Sequence, residues 1–496
     1  MPKFVFLPTD IALYLLIVAL GFYAWHARRT PSLRATWAQV ARSPAGMAAA
    51  VVLSAYVLVA LLDSVHFRPL LPPAPGAAAD AAPAYATRTL SLLDKLLEAR
   101  MEGRERTYSA PLAFQSFSKE SMIVDGKSVR DFPRLRYGGA HLKNPEQEWA
   151  GDVLARSAAG LAGGLAAGGV LFLLAGALRA RRERQGLGAA LADIAAGRCE
   201  RPWRAVLATA TLILLFVGWV AALWPHYHVF GTDRTGNDVL YVALKSFRTA
   251  LVIGSLATLA TIPFAVALGI LAGYFKGWVD DLIQYVYTTL SSIPSVLLIA
   301  AIVLMIQVHV DSNPQLYETG LERADVRLFL LALVLGVTGW ATLCRLLRAE
   351  TLKVAELEYV QAARAFGVSP VGIMRRHILP NVMHIVLIVA VLDFSGLVLY
   401  EAVLSYVGVG VDPTMPSFGS MINLARLEMA RDPVVWWALT AAFVFMFVMV
   451  LAANLFAGAV RDAFDPRSRS FRPRLARAPR AAAPTSAAPV TAPQTP

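Results

Sequence analysis

Charge is what this sequence has least of. Asp, Glu, Lys and Arg make up only 16% of its 496 residues, against about 25% in an average soluble domain. With a hydrophobic share of 57%, that composition excludes an ordinary soluble class and favours a chain that lives in lipid. Cysteine is just as scarce. Cys199 and Cys344 stand far apart and form no CxxC spacing, so neither a disulfide framework nor a zinc site is indicated. A phosphate-binding loop is missing too. The motif needs GxxxxGK[ST] so that backbone N–H groups can cradle phosphate. The Gly-Lys-Ser at Gly126-Lys127-Ser128 has Ser121 in place of the first glycine. The chain is therefore not expected to be an enzyme that hydrolyses ATP, and no cofactor is expected.

What is present is a series of apolar runs of spanning length, at about 6–25, 44–62, 157–178, 204–224, 250–274, 282–307, 328–348, 383–405 and 436–459. A helix rises 1.5 Å per residue, so about 20 residues cross the hydrocarbon core. Gly160, Gly164 and Gly168 recur at four-residue spacing, which lets helices approach closely. The first run is followed at once by Arg28 and Arg29, with one cation, Lys3, ahead of it. That order fits a retained helix better than a cleaved signal.

The net charge of +12 could suggest a nucleic-acid partner. The cations instead sit in short segments beside the apolar runs, as the positive-inside rule requires, and no nucleic acid is expected. Segments 26–43, 179–203 and 349–380 and the tail from Arg467 to Arg480 are basic. Nine crossings place all four on one side, the cytoplasmic one, with the N-terminus outside. The segment 63–156 has nearly balanced charge and falls outside. It opens with a Pro/Ala-rich linker, Pro69 to Pro83, expected to be irregular, followed by a charged stretch, Leu90 to Arg106, expected to be helical. The Ala/Pro/Thr-rich end, Ala481 to Pro496, is expected to be disordered.

The cytoplasmic stretch from Glu358 to Asn381 contains Gln361, Ala362, Ala363, Phe366, Gly367, His377 and Pro380. It reads as a short helix, a break at Gly367, and a second short helix ending near Pro380, with Ser369 as its cap and Pro370 at its first position. For an arbitrary loop the ordinary reading is an amphipathic helix on lipid headgroups. Order and spacing together resemble the "EAA" loop of binding-protein-dependent ABC importer permeases. In that family this loop is the coupling helix that docks on the ATPase. Gln361 stands where the family has Glu. It keeps the length and hydrogen-bonding capacity but not the charge. The resemblance therefore implies docking by shape and by Ala362, Ala363, Phe366 and Gly367.

An outer motif contains Gly231, Thr232, Asp233, Gly236 and Asp238. Alone it is a capped turn. The nearby His226 and His228 form a lone His-x-His pair, a weak metal signal, and no metal is expected. The segment resembles the GTDxxGxD signature of oligopeptide/dipeptide/nickel permeases, with Asn237 where Arg is usual. Leu271–Asp280, Ser291–Pro294, Glu401–Pro413 with Pro416 and Gly419, and Arg461–Pro466 resemble further segments of that family in register. The resemblance covers about 203–467 and points to the C-type subunit.

The expected fold class is thus all-α integral membrane, about nine transmembrane helices, with a type I ABC importer core at 203–467. Residues 1–202 form an N-terminal extension with three helices, and 468–496 a basic tail. The resemblance implies two ATPase subunits, a second permease, a periplasmic or lipid-anchored solute-binding protein, and membrane lipid as partners. It also implies peptides or related small solutes as cargo and the bacterial cytoplasmic membrane as location. Asp393 and Glu401 lie in or near the eighth run, where acids cost several kcal/mol unless they face protein or water. Glu401 reads best as structural, beside the re-entry. Asp393 is open between lining a path and being satisfied structurally. An ion-gradient-driven secondary transporter and a receptor or scaffold acting through 63–156 are the alternatives.

Overall fold

The computed structural model describes residues 2–71, 85–124 and 127–464. Most of the Pro69–Pro83 linker, Gly126, the end of Arg461–Pro466 and the whole tail lie outside the described residues. Along the chain come β1 (Lys3–Val5), α1 (Pro8–Arg29), α2 (Pro31–Val40), α3 (Pro44–Asp63), β2 (His66–Arg68), β3 (Leu90–Ser91), α4 (Leu92–Leu96) and α5 (Glu98–Glu102). Then follow β4 (Glu120–Val124), β5 (Lys127–Asp131), α6 (Pro145–Glu183), α7 (Leu187–Ala195), α8 (Trp203–Leu223), α9 (Val239–Phe275), α10 (Gly277–Ser292) and α11 (Ser295–Ser312). The last part holds α12 (Gly320–Gly339), α13 (Ala341–Ala355), α14 (Glu358–Ala365), α15 (Pro370–Ile373), α16 (Leu379–Val407), α17 (Phe418–Arg426) and α18 (Trp437–Phe464). Among the described residues 9 helical segments are long and apolar enough to cross a membrane. β1, β2 and β3 pair antiparallel and tie the start of the chain to the segment that follows α3.

Local chemistry sets the helix starts. Proline opens α1, α2, α3 and α6, where its missing N–H costs nothing. Asp238 caps α9 by accepting from the backbone N of Leu240 and Tyr241, at 3.0 and 3.2 Å. α16 ends at Gly408, whose φ of +88° suits glycine.

Two expectations differ from what is observed. The run 282–307 is not one helix. Pro294 lacks a donor and holds Ile293 extended (φ −86°, ψ 130°), so the chain breaks between α10 and α11. α10 exposes Trp278 and Tyr285 and buries Ile283 and Tyr287, and of the two helices only α11 is long and apolar enough to cross. The stretch Leu90–Arg106 is not one helix either. A capping box on Ser91 starts α4, and Leu97 leaves the helical region at φ −110°, ψ 21° before α5 begins.

Small residues carry the helix contacts. A Cβ on Gly160 would sit 2.5 Å from the Gly218 carbonyl, and one on Gly164 2.5 Å from that of Leu214, so α6 and α8 meet backbone to backbone. Gly336 brings α12 against α9 in the same way, and Gly269 and Gly273 bring α13. The extension is not a separate layer. The Tyr56 ring of α3 stacks on Phe247 of α9 at 4.1 Å, and its hydroxyl donates to the Phe445 carbonyl of α18 at 2.8 Å. These residues share one buried cluster with Trp437, Met446 and Phe418.

Candidate functional site

Two regions gather the residues singled out by sequence, one at each end of the helices.

At the cytoplasmic end, α13 stops at Glu356. Lys276 pairs with its carboxylate at 2.5 Å and holds that carboxyl below its usual range. Gln361 folds back onto the same group, donating from Nε2 at 3.0 Å. One face of the α14–α15 loop is anchored. Val360, Ile373 and Ile378 are almost fully buried against Leu347 and Tyr274. Each such side chain contributes about 1.5–3 kcal/mol, enough to hold the loop in one shape. The Arg364 guanidinium lies 5.3 Å from the Tyr274 ring. Ser369 caps α15 by accepting from the Gly372 N–H, with Pro370 at the first position.

The other face has no partner among the described residues. Phe366 is 88% exposed and Val371 is 68% exposed. Ala362 and Pro380 are exposed, while Ala363 and His377 are half-buried. Gly367 turns the chain at φ +76°, and a Cβ there would meet nothing within 4 Å. The second short helix does not end at Pro380. Residues Met374–Ile378 form a π turn in which the Leu379 N–H donates to the Met374 carbonyl, five residues back. That wider turn takes up the proline's missing donor, and α15 runs on into α16. Asn381 sits at the joint and donates to the Tyr359 hydroxyl (2.9 Å) and the His377 carbonyl (2.6 Å).

At the outer end, the Gly231–Asp238 turn is an anchorage. Thr232 is fully buried. Its hydroxyl donates to the Thr107 carbonyl (2.8 Å) and accepts from the Ser109 N–H (2.7 Å). Asp233 closes the turn by accepting from the Thr235 and Asn237 backbone N–H groups. Both glycines have positive φ and lie against the outer segment. A Cβ on Gly236 would fall 1.9 Å from the Glu105 carbonyl, and one on Gly231 2.4 Å from that of Ser109. Asp238 also accepts from Trp224 Nε1 (3.1 Å) and lies 2.8 Å from His228 Nδ1. His226 and His228 do not converge. The His226 ring packs on His141 at 4.7 Å, whereas His228 is buried between Asp238 and Glu105.

Sequence reading missed the outer segment's own keystone, Glu105. Its carboxylate accepts from the backbone N–H groups of Arg136 (3.0 Å), Tyr137 (2.8 Å) and Gly138 (3.1 Å). Burial pushes this carboxyl up, but His228 and the three N–H groups outweigh it and bring it down to about 2. Missed as well was a buried ionic knot between extension and core. Arg248 of α9 reaches Asp10 of α1 at 2.7 Å and Asp325 of α12 at 2.8 Å, all three nearly inaccessible. Lys245 bridges Asp94 (2.7 Å) and Asp63 (3.2 Å). Burial alone would raise the Asp94 carboxyl, but Lys245, Tyr241 and the Ser91 N–H hold it below the usual range. Asp10 and Arg248 are ionisable residues in or beside apolar runs, and that was the available signal.

Glu401 and Asp393 differ. Glu401 is 1% exposed and accepts from Ser405 at 2.7 Å, and the α17 backbone at Gly419 leaves no room for a side chain beside it. Asp393 is half-buried and has no hydrogen-bond or ion-pair partner among the described residues.

Nine helical segments of spanning length, an interrupted loop with one face unpartnered, and a capped outer turn, all among the described residues, are the features of a multi-pass membrane protein. Residues 265–470 match the family described as binding-protein-dependent transport system inner membrane component. The chain is 31% identical over 286 residues to the oligopeptide transport system permease protein OppC of Mycobacterium bovis, covering 54% of this chain and 92% of that protein. It is 31% identical to the dipeptide transport system permease protein DppC of Alkalihalophilus pseudofirmus, covering 49% and 73%. It is 30% identical to the glutathione transport system permease protein GsiD of Pectobacterium atrosepticum, covering 49% and 74%. Among solved structures, an inward-facing form of the MetNI methionine ABC transporter aligns at 17% identity over 45% of this chain and 97% of its own, with a TM-score of 0.33. The chain belongs to the binding-protein-dependent inner membrane component family. It is a permease subunit of an ABC importer in the cytoplasmic membrane, a transport component rather than an enzyme, and works with ATPase and substrate-binding partners.

Proposed function

We propose that this chain is one of two permeases in an importer for peptides or related small solutes, together with two ATPase subunits and a periplasmic or lipid-anchored receptor. The relatives' names support the cargo class: oligopeptide, dipeptide and glutathione transport are all peptide transport. The α14–α15 loop is the ATPase handle, with Gln361, Ala362, Ala363, Phe366, Gly367, His377 and Pro380 forming or shaping it. The observation that carries this reading is Phe366, 88% exposed on a loop whose other face is locked into the helices. A phenylalanine left in water forgoes about 1.5–3 kcal/mol, which burial in a partner's groove recovers. Gln361 is spent inside the loop on Glu356, so the grip is one of shape.

The core at 203–467 carries the path, and the extension 1–202 is built onto its outer turn. Gly231, Thr232, Asp233, Gly236 and Asp238 then serve as the seat of the extension's outer segment. Glu401 fixes the re-entry at α17, and Asp393 faces the path. Closure of the ATPases would act through the handle on helices whose contacts differ between outward and inward states.

The test is uptake of labelled peptide by the reconstituted complex, with ATP present and a protonophore added. This reading expects uptake to persist with ATP and the proton gradient collapsed. Uptake that vanishes with the gradient would favour the ion-driven alternative and overturn it. Peptide capture that survives deletion of the core helices would favour the scaffold alternative.

A further inference from the structure

A cavity of about 530 Å³ lies where the extension meets the first core helix, at the end nearest the basic segment 179–203. Leu165 and Phe172 of α6 and Leu207 and Leu215 of α8 wall it, and α7 adds Ile194. Among the described residues no carboxylate lines it. Its one charged lining residue is Arg204, in the first turn of α8, and its one other polar side chain is Thr211. Two neighbouring glycines of α6 act differently. A Cβ on Gly168 would fall 2.6 Å from the Thr211 side chain, so that glycine packs the helices together. A Cβ on Gly169 would meet nothing within 4 Å, so that glycine leaves the groove open.

The acids of the adjoining segment are paired elsewhere. Asp193 holds Arg198 at 3.1 Å, Glu183 holds Arg179 at 3.0 Å, and Glu200 holds Arg42. Arg204 is exposed, and its side chain has no hydrogen-bond or ion-pair partner among the described residues. A cation in the first turn of a helix is opposed by the helix dipole, so Arg204 does not serve α8 itself. The dimensions match one leaflet. Arg204 and Leu215 stand 11 positions apart on α8, which is about 16 Å at 1.5 Å per residue, and half of a hydrocarbon core is about 15 Å. The cavity therefore extends from the cytoplasmic headgroup level, marked by Trp203 and Arg204, to near the midplane.

We propose that this cavity holds one acyl chain of an anionic phospholipid of the cytoplasmic leaflet, with the lipid phosphate on the Arg204 guanidinium. The planar fork of arginine matches phosphate oxygens, and basic pockets between helices on the cytoplasmic side suit such headgroups. The lipid touches α6 and α7 of the extension and α8 of the core at once, so it joins the two parts of the chain. The site is independent of the cargo.

The test is native mass spectrometry of the full chain, delipidated in detergent and given equal amounts of palmitoyl-oleoyl phosphatidylglycerol and phosphatidylcholine. Wild type should retain one phosphatidylglycerol with about a fivefold preference, equivalent to about 1 kcal/mol, the worth of one basic residue near an anionic surface. Arg204→Gln should bring that preference below about twofold, and Arg204→Lys should keep it. Gly169→Leu should displace the lipid whatever its headgroup, with the thermal midpoint of the delipidated chain unchanged, because a Cβ there meets no neighbour. Glycerol phosphate, the headgroup without acyl chains, should not compete. Equal retention of both lipids by wild type, a preference that survives Arg204→Gln, or a lipid that survives Gly169→Leu would overturn the proposal. Competition by glycerol phosphate, which marks a free-anion site, or a lipid-free dimer joined through α6, which marks a second copy of the chain, would overturn it too.

Discussion

Replacing Glu105 with Gln isolates the joint between the extension and the outer turn. The substitution keeps the shape of the side chain and removes its charge. Oε2 faces the Arg136 N–H, and Oε1 faces those of Tyr137 and Gly138. Whichever way the amide turns, its NH2 meets a backbone donor. A tenfold change in proton affinity is worth about 1.4 kcal/mol. The fall from 4.5 to about 2 thus sets a ceiling of about 3.4 kcal/mol, and solvent screening at an outer loop brings it to about 2 kcal/mol. That is about a 30-fold larger open population for the segment. Hydrogen exchange of the full chain in nanodiscs reads it directly. Amides of Ser109, Leu112 and Leu135, which donate to the Thr232 hydroxyl and to the His228 and Phe114 carbonyls, should exchange about 30 times faster in E105Q, while α9 is unchanged. The pH dependence has a definite sign. The folded carboxyl titrates below its ordinary value, so its stabilisation is complete above pH 4.5 and is lost as pH falls toward about 2. Wild-type protection, corrected for intrinsic rates, should fall in that window and E105Q protection should not. An E105Q segment protected to within threefold of wild type at pH 7 would refute the reasoning.

Other expectations follow from the same geometry. Arg248→Met strands Asp10 and Asp325 in a buried site and should cost about 3–5 kcal/mol, read as a large drop in the thermal midpoint of the detergent-solubilised chain. Gly164→Val puts a side chain where the Leu214 carbonyl lies 2.5 Å away and should separate α6 from α8, seen as lost cysteine cross-linking between them. Gly367→Val meets no neighbour within 4 Å, so its cost is the positive φ alone, about 1–2 kcal/mol. The helices should fold normally while ATP hydrolysis by the assembled complex loses its link to uptake. Normal uptake in G367V would count against the handle.

The crossings were legible because span length and the basic loops report the same topology by independent physics. Hydropathy failed at 282–307 because an average over the run hides what one proline does to the backbone at Pro294. The cytoplasmic loop was legible up to Gly367 and Ser369, whose turn and cap chemistry is local. The π turn at Met374–Ile378 was not, since it resolves a conflict between Pro380 and a helix that tertiary packing keeps continuous. The outer turn was readable as a turn but not as a seat. The carbonyls of Glu105 and Ser109, which crowd Gly236 and Gly231, come from a segment more than a hundred residues away with no periodic pattern. Glu105 itself carries no motif, because its partners are three backbone N–H groups and a histidine, His228, more than a hundred residues away.

The claim on which the transport account turns is that the exposed face at Phe366 is gripped by an ATPase. Phe366→Cys, in a Cys199→Ser background, can be treated with a short bifunctional maleimide in the assembled complex. The account predicts one cross-linked product joining the permease to the ATPase subunit, with a yield that changes when ATP is bound. A Phe366→Cys chain that cross-links only to an external receptor, or is labelled by an impermeant maleimide from outside sealed cells, would contradict it.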